Sequence, residues 1–150
     1  MKKYIYIIIS LLFILFLGGC GKKLELSKEE FKLLLSNKNF VVYDDTSNEI
    51  LSDTNVLSFT SASSSDIGMG FIELKNESAA KYLFSDYKTN EEGKDKSIEK
   101  HTNLFNYNKY SYENADEYYS LIRVGKTILI VNSDISKKEE VISIIDQFGY

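Results

Sequence analysis

The chain holds one cysteine, one histidine, no proline and no tryptophan in 150 residues. A single thiol closes no disulfide within the chain, so the fold must hold by packing. With so few sulfur and imidazole ligands, the usual zinc, haem and iron–sulfur sets cannot be assembled, and neither metal nor cofactor is expected. Residues Asp44 to Glu49 gather oxygen ligands of the type calcium takes, but without the glycine and spacing of an EF-hand; they read as a solvated acidic loop. Gly125-Lys126-Thr127 is no P-loop, because a serine stands where the first glycine belongs. Positive charge is the scarcer sign, 18 basic residues against 22 acidic ones. An acidic domain grips polyanions poorly, so no nucleic-acid partner is expected.

Long apolar runs are scarce too, with one exception. Met1-Lys2-Lys3 is positive, and Tyr4 to Leu17 follows without a charge. That is the layout of a secretory signal peptide. The run falls short of the ~18–20 apolar residues that span a bilayer comfortably, and small residues follow it at once.

Those residues, Leu17-Gly18-Gly19-Cys20, resemble the lipobox of bacterial lipoproteins. The resemblance implies that the Cys20 thiol receives a diacylglyceryl group and that the chain is cut before it. Residues 1–19 are then the signal peptide, 20–26 the lipidated cysteine with a short tether, and 27–150 a single domain. Two acyl chains hold durably where one holds only reversibly, so the implied location is the outer face of the cell membrane, with the bilayer as partner. Loss of Lys2 and Lys3 leaves 16 basic residues against the same 22 acidic ones, a net charge near −6. Six extended residues, Gly21 to Leu26, reach at most ~20 Å, which keeps the domain close to the membrane. Lys22 and Lys23 fall where anionic headgroups attract lysine.

The rest reads as alternating helix and strand signals. Ser27-Lys28-Glu29-Glu30 is a capping box that opens a helix to about Lys38, with Phe31, Leu34 and Leu35 at helical spacing. Strands are expected at Phe40–Asp44, Val56–Ser61 and Ile67–Leu74, with a turn at Ser63 to Asp66. Asn76 caps a second helix to about Lys88, whose stripe is Ala80, Leu83, Phe84 and Tyr87. Thr89 to Asn103 is charged and nearly free of apolar residues, and reads as a mobile loop. Leu104–Tyr112, Glu117–Val124 and Thr127–Asn132 read as a meander with a tight turn at Gly125-Lys126. A second capping box at Ser136 starts the last helix, with Val141, Ile144, Ile145 and Phe148 inward and Gly149 as its stop. The order α-βββ-α-βββ-α predicts an α+β domain, an antiparallel sheet packed with helices.

Two sets of residues are candidates for function. Tyr107, Tyr110, Tyr112, Tyr118 and Tyr119 crowd two neighbouring strands. Tyrosine combines a flat apolar ring with a polar tip, so such a cluster can form a binding face for a glycan or a protein segment, although strands favour tyrosine in any case. Ser78-Ala79-Ala80-Lys81 resembles the S-x-x-K of penicillin-binding proteins and serine β-lactamases, and Tyr112-Glu113-Asn114 their Y-x-N. That resemblance implies Ser78 as nucleophile and Lys81 as its activator. The third motif, K-T-G, is scrambled, and the chain is about half as long as that fold needs.

The expected function is a membrane-anchored, non-catalytic binding or accessory module with a protein or glycan partner in the envelope. An envelope-acting serine enzyme using Ser78 and Lys81 and a structural, self-associating lipoprotein are the alternatives. The mature part loosely resembles small lipoproteins of Gram-positive bacteria at Arg123-Val124-Gly125 and Gly149-Tyr150.

Overall fold

The computed structural model describes residues 22–46 and 55–150. The expected signal peptide and Cys20 lie outside these residues. The domain is α+β: α1 (Lys28–Ser36), β1 (Val41–Asp44), β2 (Val56–Ser64), β3 (Ile67–Leu74), α2 (Glu77–Glu91), β4 (Ile98–Leu104), β5 (Tyr107–Glu113), β6 (Glu117–Val124), β7 (Thr127–Asp134) and α3 (Lys138–Gln147). All seven strands join one antiparallel sheet in the order β1-β2-β3-β7-β6-β5-β4.

Period-two alternation gives each strand two faces, and helices cover both. On one face α1 contributes Phe31 and Leu35, and α3 contributes Val141, Ile144 and Ile145, against Met69, Phe71, Ile122, Leu129 and Val131. Phe31 is fully buried and stacks between Phe71 at 5.2 Å and Phe148 at 5.7 Å. On the other face α2 lays Ala80, Leu83, Phe84 and Tyr87 over Ile72, Leu121 and Ile128. Burial of each large apolar side chain contributes roughly 1.5–3 kcal/mol.

The sheet has two ends. At one, Glu73, Thr127, Val124, Tyr107 and Leu104 form a row across β3-β7-β6-β5-β4; at the other, Ile67, Ser133, Tyr118, Glu113 and Ile98 do. The chain enters at the first end and is fastened there. Asn106 Nδ2 donates to the Lys23 carbonyl at 2.8 Å, Lys23 Nζ to the Gly149 carbonyl at 2.9 Å, and the Leu26 amide to the Tyr150 hydroxyl at 2.9 Å. Gly125 sits at φ 56°, the left-handed region that favours glycine, and Glu25 packs against it, its Oε1 accepting from the Lys126 amide.

Capping follows the sequence at α1, where Ser27 and Glu30 bond reciprocally, and at α2, where Asn76 Oδ1 accepts from the Ala79 amide at 2.9 Å. The expectation fails in three places. Residues 98–103, expected in a mobile loop, form with Leu104 the strand β4, an edge strand exposed along its whole length. Paired on one side only, to β5, it buries no apolar stripe, which is why no alternation marks it. Leu104–Tyr112 is not one strand, because Phe105-Asn106 is the two-residue turn joining β4 to β5. Ser136 caps nothing: Asp134 Oδ1 takes the Ser136 amide at 2.8 Å, a short 3₁₀ turn spans Ile135–Lys137, and α3 begins without a side-chain cap.

Candidate functional site

Strand alternation divides the five tyrosines between the two faces of the sheet. Tyr107 and Tyr118 point into the layer under α1 and α3, whereas Tyr110, Tyr112 and Tyr119 point into the layer under α2. All five are buried. The second group packs as a cluster, Tyr112 stacked on Tyr119 at 5.2 Å and Tyr110 edge-on to Tyr119 at 6.3 Å. Lys94 and Lys96, from the segment between α2 and β4, cover these rings at 5.1–6.0 Å. The Tyr112 hydroxyl lies 2.7 Å from Glu91 and 2.9 Å from Glu117. Burial, reinforced by these two carboxylates, pushes its pKa far up. These tyrosines form core and bracing, with no shared open face among them.

Ser78 is exposed in the first turn of α2, and Lys81 is exposed one turn on. No hydrogen bond joins the two among the described residues, and Asn114 of the Y-x-N match lies at the far end of the sheet, bonding Glu117. Among the described residues no group of three or more His, Cys, Asp or Glu could hold a metal, and no helix is long and apolar enough to cross a membrane.

A different set of residues converges at the end where the chain enters. Arg123, the one arginine among the 18 basic residues, stands on β6 on the α2 side and is completely buried. Nε donates to Asn108 Oδ1 at 2.5 Å and Nη1 to the Gly125 carbonyl at 2.8 Å. Asn108 in turn donates to Asn103 Oδ1, which fixes the orientation of its amide. Nη2 meets no acceptor, and no carboxylate pairs with the guanidinium among the described residues. Burial pulls the Arg123 pKa down, against the more distant pull of Glu77 and Glu25. Leaving a buried cation without a counter-charge costs several kcal/mol.

Arg123 lies at the floor of a pocket of about 470 Å³ between α2 and the β4–β5 hairpin. Lys81, Ser85 and Lys88 line it from the helix, Asn103 and Asn108 from the strands, and Phe105 from the turn; among the described residues no acidic one does. Lys88 leans toward Glu92 at 3.4 Å, while Lys81 has no ion pair among the described residues. Three cations and three neutral polar groups around one space, in an acidic domain, supply donors of the kind an anion takes. A second opening, about 260 Å³ between β4–β5 and α3, is also lined by lysines, but Glu113 reaches into it and holds Lys138 at 2.5 Å. There the chain supplies its own anion.

Sequence reasoning passed over Arg123 because a strand residue flanked by Leu121, Ile122 and Val124 reads as solvent-facing when charged. Its readable signal is that it is the one arginine in a lysine-rich chain, set between apolar neighbours. No protein-family model, curated protein or solved structure matches this chain.

Proposed function

We propose that the chain is a lipoprotein, cut before Cys20 and held by a diacylglyceryl group at the outer face of the cell membrane, whose domain works as a non-catalytic binding or accessory module. Its contact site is the pocket over Arg123 rather than the tyrosines of β5 and β6. The observation that carries the binding role is the buried guanidinium whose Nη2 no group of the described chain meets, in a pocket lined by Lys81 and Lys88 and by no carboxylate. An anion there would offset the desolvation of Arg123. Among the described residues that line the pocket, Ser85 is the one hydroxyl, and neither a histidine nor a carboxylate lines it with Ser85. That supports binding over turnover.

The tether is tested by Cys20→Ser in the full chain, followed by cell fractionation and mass measurement. The native chain is expected in the membrane fraction with residues 1–19 removed and the mass of a diacylglyceryl group added. Unchanged processing and unchanged membrane retention of the variant would sink the reading.

A further inference from the structure

The two most exposed large apolar side chains among the described residues are Leu24, 87% exposed, and Phe105, 82% exposed. Single exposed apolar residues need no explanation, but these two share one place. Asn106, next to Phe105, holds the carbonyl of Lys23, next to Leu24. Leu104, 56% exposed, stands on the other side of Phe105. The chain is fastened down to Lys23, three residues from Cys20, a reach of about 10 Å. With so little slack, a lipid on Cys20 would seat this end of the sheet on the bilayer, with Phe105 foremost. Lys22, Lys23 and Lys126 stand at the same end; of the carboxylates there, Glu25 accepts from the Lys126 amide and Glu73 from the Ser58 hydroxyl. Asp66, Asp116 and Asp134, which flank the opposite row of the sheet, face away from it.

Phe105, at this end, is also one of the residues that line the Arg123 pocket. We infer that the pocket takes the phosphate of an anionic phospholipid headgroup from the membrane that holds the chain, while Phe105 and Leu24 enter the interfacial layer beside it. Phosphate suits the forked donors of arginine flanked by two lysines. The phosphodiester of a lipid leaves its glycerol and acyl chains to run past Phe105 into the bilayer, where an aromatic ring is at home. The inference rests on the tether reading, since only the short spacer brings this end to the surface.

The chain has no tryptophan, so Phe105→Trp gives a single reporter. The full-length lipoprotein carrying this change is reconstituted in phosphatidylcholine vesicles in which either the phosphatidylcholine or a minor phosphatidylglycerol component bears brominated acyl chains. Brominated phosphatidylglycerol is expected to quench the introduced indole about fivefold more, per lipid, than brominated phosphatidylcholine. Lys81→Glu with Lys88→Glu, on the surface of α2, should abolish that preference with folding intact by circular dichroism. Equal quenching by the two lipids would overturn the assignment, as would an indole that neither lipid quenches. So would stabilisation by inorganic phosphate in detergent without any lipid preference, which would assign the pocket to a free anion. The mass of the purified chain is read separately: a chain without diacylglyceryl overturns the tether, whereas a lipidated chain lacking the preference overturns only the headgroup site.

Discussion

Asn106 and Lys23, 83 residues apart in sequence, are joined by a 2.8 Å hydrogen bond from the asparagine amide to the lysine carbonyl. Asn106 is itself nearly buried, and its own carbonyl takes the Gly125 amide at 2.7 Å, so one residue ties the incoming chain to both hairpin turns. Replacement by alanine removes the side-chain bond and leaves the turn. The expected loss is about 1 kcal/mol in urea unfolding. Amide exchange at residues 22–26 should accelerate well beyond what that global loss accounts for, because the segment detaches locally. Exchange there that changes only with global unfolding would contradict a fastened tether.

Phe31 carries the packing of α1. Its ring, fully buried between Phe71 and Phe148, links α1 to the sheet and to the end of α3. Phe31→Ala should cost about 3–5 kcal/mol, the transfer of the ring plus the cavity it leaves. Leu33→Ala, at a position 65% exposed on the same helix, should change stability by less than about 0.5 kcal/mol. Comparable midpoints for the two variants in chemical denaturation would disprove the assigned orientation of α1.

The same contrast marks how far the sequence could be read. Phe31 and Leu35 at helical spacing, Leu121 and Ile122 among apolar neighbours and Ala80 with Leu83 and Phe84 all announced buried faces, and the sheet with its helices followed from them. β4 announced nothing: an exposed edge needs no apolar stripe, so Ile98 to Leu104 carried a loop's composition while the backbone paired with β5. The tyrosines misled for the opposite reason. Five rings close in sequence look like one surface, but alternation sends Tyr118 and Tyr119 to opposite sides, and only the placement of α2 and α3 decides whether either side is open. Arg123 needed the three-dimensional arrangement altogether, since its pocket is assembled from α2, the β4–β5 hairpin and β6.

The binding role proposed for the Arg123 guanidinium makes a specific forecast. Arg123→Met retains much of the side-chain volume and removes a buried charge that no carboxylate balances. Two neutral acceptors, Asn108 Oδ1 and the Gly125 carbonyl, lose their donors in exchange. These opposing changes should leave the unfolding free energy, in detergent without anionic lipid, within about 1 kcal/mol of the native chain. Arg123→Ala, which adds a cavity, should lose about 2–3 kcal/mol. A methionine variant as unstable as the alanine variant would make Arg123 a structural residue first.

Buried tyrosines also fix the response to alkali. Burial holds the pKa of Tyr107 up to about 12, with Tyr118 and Asp146 adding to it, and burial likewise raises Tyr112, Tyr118, Tyr119 and Tyr150 above 10. In the unfolded chain these phenols ionise near 10, whereas in the folded chain they stay neutral. Their contribution is therefore fully present below pH 10 and is lost as pH climbs through 10 toward 12, by about 1.4 kcal/mol per pH unit for each ring. Several rings acting together should unfold the domain cooperatively in that window. Tyrosinate absorbance and far-ultraviolet circular dichroism, recorded on one sample, should then share a single transition. Ionisation of all the tyrosines with the dichroism intact would mean that the rings of β5 and β6 are open to solvent after all, and would return them to consideration as a binding face.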